Sequence, residues 1–172
     1  MAPAVTIRPM VADDLSMVER WLRSPHVARW FTRESTPEKE VEKYRRRIGD
    51  PAGPTVMCIV ELGGVGIGWC QWYRWKDYPQ EAASYGAQED DVGADYAIGE
   101  RRAVGRGVGT ELIARLVAEV RRHVPGAHLL IAPEAENRAS RRVLEKNRFE
   151  LLDVRPVLTE PHSRPMAIYR LD

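Results

Sequence analysis

An excess of charge of either sign is what this sequence most clearly lacks. Twenty-six Lys and Arg stand against 25 Asp and Glu, a formal net charge of +1 over 172 residues. No global field argues for nucleic-acid binding, so a charged partner has to be inferred from local clusters. Long apolar runs are missing too. None approaches the ~18 residues that a membrane helix needs, and the opening MAPAVTIRP lacks the apolar stretch of a signal peptide. Cysteine is scarce. Cys58 and Cys70 lie in apolar, strand-like runs without CxxC spacing, and both are expected to be reduced core residues of a cytoplasmic protein. Repeats and low-complexity segments are absent, as is any Gly-Lys-Ser/Thr phosphate loop. No Ser-His-Asp or Cys-His constellation points to covalent catalysis.

What is present suits one compact domain spanning residues 1–172, since 44% hydrophobic content at this length supplies a single sizeable core. Residues 5–8 alternate apolar and polar and read as a first strand. Leu15, Val18, Trp21 and Leu22 recur at helical spacing after Asp13 and Asp14, and Pro25 closes that helix. The segment HVARWF, with His26, Trp30 and Phe31, is either a core-facing turn of helix or a wall over a binding cleft. Thr36-Pro37 is a helix start, with Glu38 placed to complete a capping box from Ser35. Val41, Tyr44 and Ile48 form that helix's buried stripe, and the charges over residues 38–47 its solvated face. Two β-prone runs, VMCIV and GIGWCQWY, flank Gly63-Gly64 as a hairpin, and Gln71 lies among the aromatics of the second. Residues 74–88 show no clean period and read as a long surface loop.

The stretch that follows carries the chemistry. Between Glu81 and Glu100 there are six acids (Glu81, Glu89, Asp90, Asp91, Asp95 and Glu100) and no Lys, Arg or His. Asp95 lies inside a strand pattern, VGADYAIG, where a charge is costly unless it meets a cation or faces a cleft. A polycationic substrate would supply the cation. Alternating Gly105, Gly107 and Gly109 then let backbone N–H groups approach an anion before the amphipathic helix 110–122. Thr110 stands where the third glycine of a GxGxxG fingerprint would fall. A short buried strand, 129–132, completes a βαβ unit with an anion site at its first turn. Asn137 caps the last helix, and closing strands are expected over 151–157 and 167–171.

The segments VGRGVGTELI and ENRASRRVLEKNRF, separated by an apolar strand, resemble the acyl-CoA-binding core of the GCN5-related N-acetyltransferases. The family's Q/R-x-x-G-x-G/A loop fits residues 104–109 or 102–107, and the first frame puts Gly107 and Gly109 at the helix start. The resemblance implies an α/β fold with a mixed, mostly antiparallel sheet flanked by helices and an acyl-CoA core over about residues 92–150. It implies acetyl-CoA as co-substrate and no metal. Backbone groups of Ile98, Arg106, Gly107, Val108, Gly109 and Thr110 would hold the cofactor, with Asn137 near the pantetheine arm. An oxyanion would be met by a strand amide at Ile98 or Gly99. Leu144 stands where many relatives carry a tyrosine that protonates the leaving thiolate, and Arg148 replaces a common glycine.

Within that superfamily the chain is most similar to aminoglycoside 6'-N-acetyltransferases, through VTIRPM, WLRSPHVARWF, GIGWCQWY and the placement of Asp95. By that likeness Asp95 is the catalytic residue, holding the substrate ammonium and accepting its proton. Trp30, Gln71, Glu89, Asp90, Asp91 and Asp95 form the acidic, aromatic substrate pocket. The expected partners are acetyl-CoA and a cationic amine, with neither nucleic acid nor membrane, for a monomer or homodimer. Two other functions fit the same coenzyme site: acetylation of a protein N-terminus or another small polyamine, and a non-catalytic acyl-CoA sensor.

Overall fold

The computed structural model describes residues 2–172. Seven strands take the order β1-β2-β3-β4-β5-β7-β6. They are β1 (Val5–Pro9), β2 (Thr55–Leu62), β3 (Val65–Arg74), β4 (Val92–Ile98), β5 (Leu129–Ile131), β6 (Glu150–Arg155) and β7 (Met166–Leu171). Among the described residues six α-helices accompany them: α1 (Leu15–Leu22), α2 (Pro25–Phe31), α3 (Pro37–Ile48), α4 (Pro79–Tyr85), α5 (Val108–His123) and α6 (Arg138–Lys146). The β1–β2, β5–β7 and β6–β7 pairs are antiparallel, whereas β4 and β5 run parallel with Val92 opposite Leu129. This is the mixed α/β architecture that the resemblance implies. A parallel pair needs a crossover, and α5 supplies it.

The chain divides into two compact units, residues 1–71 with 95–108, and residues 72–94 with 109–172. In the first unit, β1, β2 and the adjoining part of β3 carry a core of Leu15, Val18, Trp21, Leu22, Val41, Tyr44, Ile59 and Trp69. The helix periodicity of 15–22 is therefore a true buried stripe. Trp21 and Trp69 stack with ring centroids 6.1 Å apart. Gly99 makes room for them, because a Cβ there would fall 2.1 Å from the Trp21 ring. Thr36 caps α3, its hydroxyl accepting from Lys39 N–H at 3.2 Å. Ser35, however, donates to Glu40 at 2.8 Å and builds no capping box with Glu38. Pro25 does not close α1. It opens α2, where its missing N–H costs nothing.

In the second unit α5 buries Leu112, Ile113, Leu116 and Val120. It begins at Val108, two residues before the expected start. Residues 74–88 are no loop. A 3-10 turn over Trp75–Asp77 and then α4 occupy most of them, and Trp75 and Tyr85 sit in a core with Leu130, Val157, Met166 and Ile168. The helix is only 7 residues long, too short for an apolar period to repeat. Arg148 adopts φ 66°, the one left-handed non-glycine among the described residues. It closes α6 as a glycine would: Phe149 N–H reaches Leu144 C=O and Arg148 N–H reaches Glu145 C=O. The arginine thus leaves the turn geometry intact. Cys58 and Cys70 are buried and not joined in a disulfide.

Candidate active site

In the first unit, β4 sets the central carboxylate. Asp95 is half-buried on this strand, and its Oδ2 accepts from Gln71 Nε2 at 2.8 Å. Gln71 comes from β3 with only 9% of its surface exposed. Its Oε1 accepts in turn from Arg47 Nη1 of α3 at 2.6 Å. Two predicted residues, Gln71 and Asp95, are thus in direct contact, and a third that the sequence pattern assigned to a solvated face, Arg47, completes the chain. The missed signal lies in its spacing, since Arg47 falls three residues after Tyr44 and one before Ile48, along the buried stripe. Glu40 is likewise no solvent charge. It is buried and holds Lys43 at 2.6 Å.

Tyr44 borders this group. Burial, then the charges of Glu40 and Asp95, push its phenol far above the usual range, so it stays protonated. Trp30 is half-buried with the Arg29 guanidinium 4.3 Å from its ring centre. Its neighbours Val27 and Phe31 face the core, Phe31 against Trp69 at 5.1 Å. The core-facing reading of HVARWF therefore describes Val27 and Phe31. His26 Nε2 lies 3.0 Å from Ile98 C=O. A carbonyl only accepts, so Nε2 is the donor in this contact, and Nδ1 is buried without a protein hydrogen-bond partner.

The acidic stretch is not a set of unpaired charges. Asp91 is 1% exposed and meets Arg170 Nη1 at 2.6 Å and Gln88 N–H at 2.8 Å, both in the second unit. A sealed ion pair is unfit to receive a substrate ammonium, so Asp91 leaves the substrate set. Glu100, in the first unit, accepts from Trp21 Nε1 at 2.9 Å and Arg20 at 2.7 Å. The Trp21 hydrogen bond first, then Arg20, hold its carboxyl below the usual range. Glu89 and Asp90 are exposed in the turn before β4.

The glycine segment has the backbone an anion site needs. Gly105 and Gly107 take φ 77° and 78°, and a Cβ at either would meet open space. Conformation and not crowding is what requires glycine there. Gly107 leads into the first residue of α5, where N–H groups of the opening turn lack intrahelical acceptors. Gly109 and Thr110 are helical and half-buried, and Thr110 C=O accepts from Asn147 Nδ2 at 3.0 Å. Asn137 caps α6, its Oδ1 accepting from Ser140 N–H at 3.2 Å. Gly99 is corrected as an oxyanion donor: its N–H goes to Ile67 C=O at 2.7 Å, and Glu100 N–H shares that acceptor at 2.9 Å. Two successive residues facing one make a bulge at the end of β4. Leu144 is fully buried, and Tyr169 offers no free phenol, since it donates to Glu145 at 2.7 Å and accepts from Arg141 at 2.9 Å. Among the described residues no cluster of three or more His, Cys, Asp or Glu could hold a metal ion, and no helix is long and apolar enough to cross a membrane.

A family model described as an acetyltransferase (GNAT) domain matches residues 10–157. The chain is 28% identical over 174 residues to a lysine N-acyltransferase, MbtK, of Mycolicibacterium paratuberculosis, covering 99% of this chain and 74% of that protein. It is 27% identical over 155 residues to an aminoglycoside N(6')-acetyltransferase type 1 of Klebsiella pneumoniae, covering 86% and 74%. The solved structure of aminoglycoside acetyltransferase AAC(6')-Ib with coenzyme A superposes with a TM-score of 0.77 at 24% identity, covering 98% of this chain and 94% of that one. An aminoglycoside N(6')acetyltransferase from Legionella pneumophila gives 0.76 at 17% identity over 99% and 93%. These two likenesses establish the fold.

Proposed function

The chain belongs to the acetyltransferase (GNAT) domain family, and from that premise we propose that it acetylates the 6'-amine of aminoglycosides in the cytoplasm, with acetyl-CoA as co-substrate. Acetyl-CoA supplies the acetyl group and the leaving thiol. Backbone N–H groups of Arg106, Gly107, Val108, Gly109 and Thr110 hold its pyrophosphate, and the left-handed Gly105 and Gly107 before α5 fit that task. Asn137 binds near the pantetheine arm.

The observation that carries the substrate reading is Asp95, a strand carboxylate whose Oδ2 is fixed by a buried amide. Asp95 receives the substrate ammonium, holds it in line with the acetyl carbonyl and takes its proton directly or through water. Ile98 N–H meets the developing oxyanion. Leu144 supplies no proton, so the sulfur leaves as thiolate, and the second proton that the amine nitrogen sheds goes to water. Trp30 lines the sugar, and exposed Glu89 and Asp90 draw in a polycation. The 27% identity to the Klebsiella pneumoniae enzyme supports this choice.

A second reading, a lysine-type amine as acceptor, is favoured by the MbtK likeness, which runs through 99% of the chain. Free-thiol release from acetyl-CoA decides between them. The panel holds aminoglycosides with and without a 6'-amine, lysine derivatives and a peptide N-terminus. Turnover confined to 6'-amines supports the first reading, turnover confined to lysine amines the second. Acetyl-CoA binding without thiol release from any amine would make the chain a sensor.

A further inference from the structure

Gln71 is a nearly symmetric side chain. Its carbonyl and NH2 ends match in size, so burial alone does not choose which end faces Asp95. The choice matters. With NH2 toward Asp95 the carboxylate gains a donor, while with the carbonyl toward it two sets of lone pairs would oppose each other. Arg47 breaks the symmetry. A guanidinium has five N–H groups and no acceptor, so it can bind only the carbonyl end. Its Nη1 lies 2.6 Å from Gln71 Oε1, and Nε2 is thereby turned to Asp95 Oδ2 at 2.8 Å.

We propose that Arg47 is a positioning residue for acetyl transfer, which through the Gln71 amide fixes the orientation of the Asp95 carboxylate that receives the substrate amine. As a positioning residue it is assigned no contact with substrate or acetyl-CoA. The three groups come from three elements, α3, β3 and β4, so the carboxylate is held by a relay anchored on a helix and not by its own strand alone. The relay also makes an ion pair at one remove, with a neutral amide between guanidinium and carboxylate. This separation keeps the cation off the carboxylate, in contrast to the direct Arg170–Asp91 pair. The proposal rests on the reading of Asp95 as the amine-receiving residue.

The test is a set of variants assayed with whichever amine the wild type acetylates. Arg47→Met removes every donor while keeping bulk, and should lower kcat roughly 10-fold with the KM for acetyl-CoA unchanged. Arg47→Lys, which still donates, should recover most of that loss. Adding Arg47→Met to Gln71→Leu should cost nothing further, because Arg47 acts only through the amide. A spectroscopic readout stands beside activity: the Gln71 side-chain amide resonances should shift in Arg47→Met and return in Arg47→Lys. Wild-type kcat in Arg47→Met, or full additivity with Gln71→Leu, overturns the relay. If Gln71→Leu fails to fold, the Arg47 pair and the amide resonances still decide. Full turnover in Asp95→Asn would instead sink the reading of Asp95, while shifted Gln71 resonances in Arg47→Met would show that Arg47 still orients the amide.

Discussion

Asp91 and Asp95 stand four residues apart in one acidic stretch, and their surroundings differ in kind. Asp91 is sealed in the second unit against Arg170, with a backbone N–H on the same oxygen. Asp95 is half-buried in the first and takes its donor from an amide that carries no net charge. A carboxylate with a guanidinium fitted directly to it is committed to the fold, since both charges were desolvated together. One oriented by an amide receives a hydrogen bond that brings no counter-charge with it. The contrast between the two acids therefore lies in what Arg170 and Gln71 bring to them, a full charge and a neutral amide, which composition does not reveal.

The largest expected effect tests the Asp95 half of this contrast. Asp95→Asn keeps size and hydrogen bonding but removes the base, and kcat should fall ~100-fold or more while acetyl-CoA binding, measured by calorimetry, stays within about twofold. Turnover like the wild type would erase the contrast. Asp91→Asn should show the opposite profile. Leaving Arg170 without its buried partner should cost about 2–3 kcal/mol, less than a fully sealed pair because Arg170 also holds Asp172 at 2.7 Å. Urea unfolding reads this, and kcat of the folded fraction should be unchanged. A drop in kcat there would return Asp91 to the substrate pocket.

How far the sequence reveals this depends on the range of each interaction. The α1 stripe, the Thr36 cap, the Gly63-Gly64 hairpin and the turn into α5 are local, and pattern alone finds them. The helix α4 has Pro79 at its start and Gly86 just past its end, but about two turns are too few for an apolar period to declare itself. Arg170 lies 79 residues from Asp91 and Arg20 lies 80 from Glu100, so the compensation of the acidic stretch is invisible in the stretch itself. Arg47 sits in a run of charges that, apart from the buried Glu40, is solvated, and only the neighbouring positions of Tyr44 and Ile48 betray it. Asp95 stands out as a candidate because a charge inside a strand pattern violates a local rule, and such violations concentrate at sites.

Glu100 extends the comparison with a smaller effect. Its folded carboxyl is held low by Trp21 and then Arg20. The stabilisation is therefore complete above the unfolded value of 4.5 and lost as pH falls through the lower folded value. Glu100→Gln should cost about 1 kcal/mol at pH 7, and the difference from wild type should shrink as pH falls below 4.5 and vanish once it passes the lower folded value. A difference that persists in acid would mean packing, not charge, holds the end of β4. In either case kcat at pH 7 should stay near wild type, as befits an acid committed to the fold.

The smallest effect carries the same question to the backbone. Gly107 and Arg148 share the left-handed conformation, φ 78° and 66°. At Gly107 the reading offered is chemical, a backbone opened to an anion. At Arg148 the turn only ends a helix, and an exposed arginine bears a conformation that glycine adopts freely. Arg148→Gly should then raise stability by about 0.5–1 kcal/mol without changing the KM for acetyl-CoA. Gly107→Ala should lose a similar amount of stability and weaken acetyl-CoA binding as well. If Arg148→Gly instead weakens that binding, the arginine side chain belongs to the coenzyme site, and its departure from the family's glycine has a chemical reason, not a conformational one.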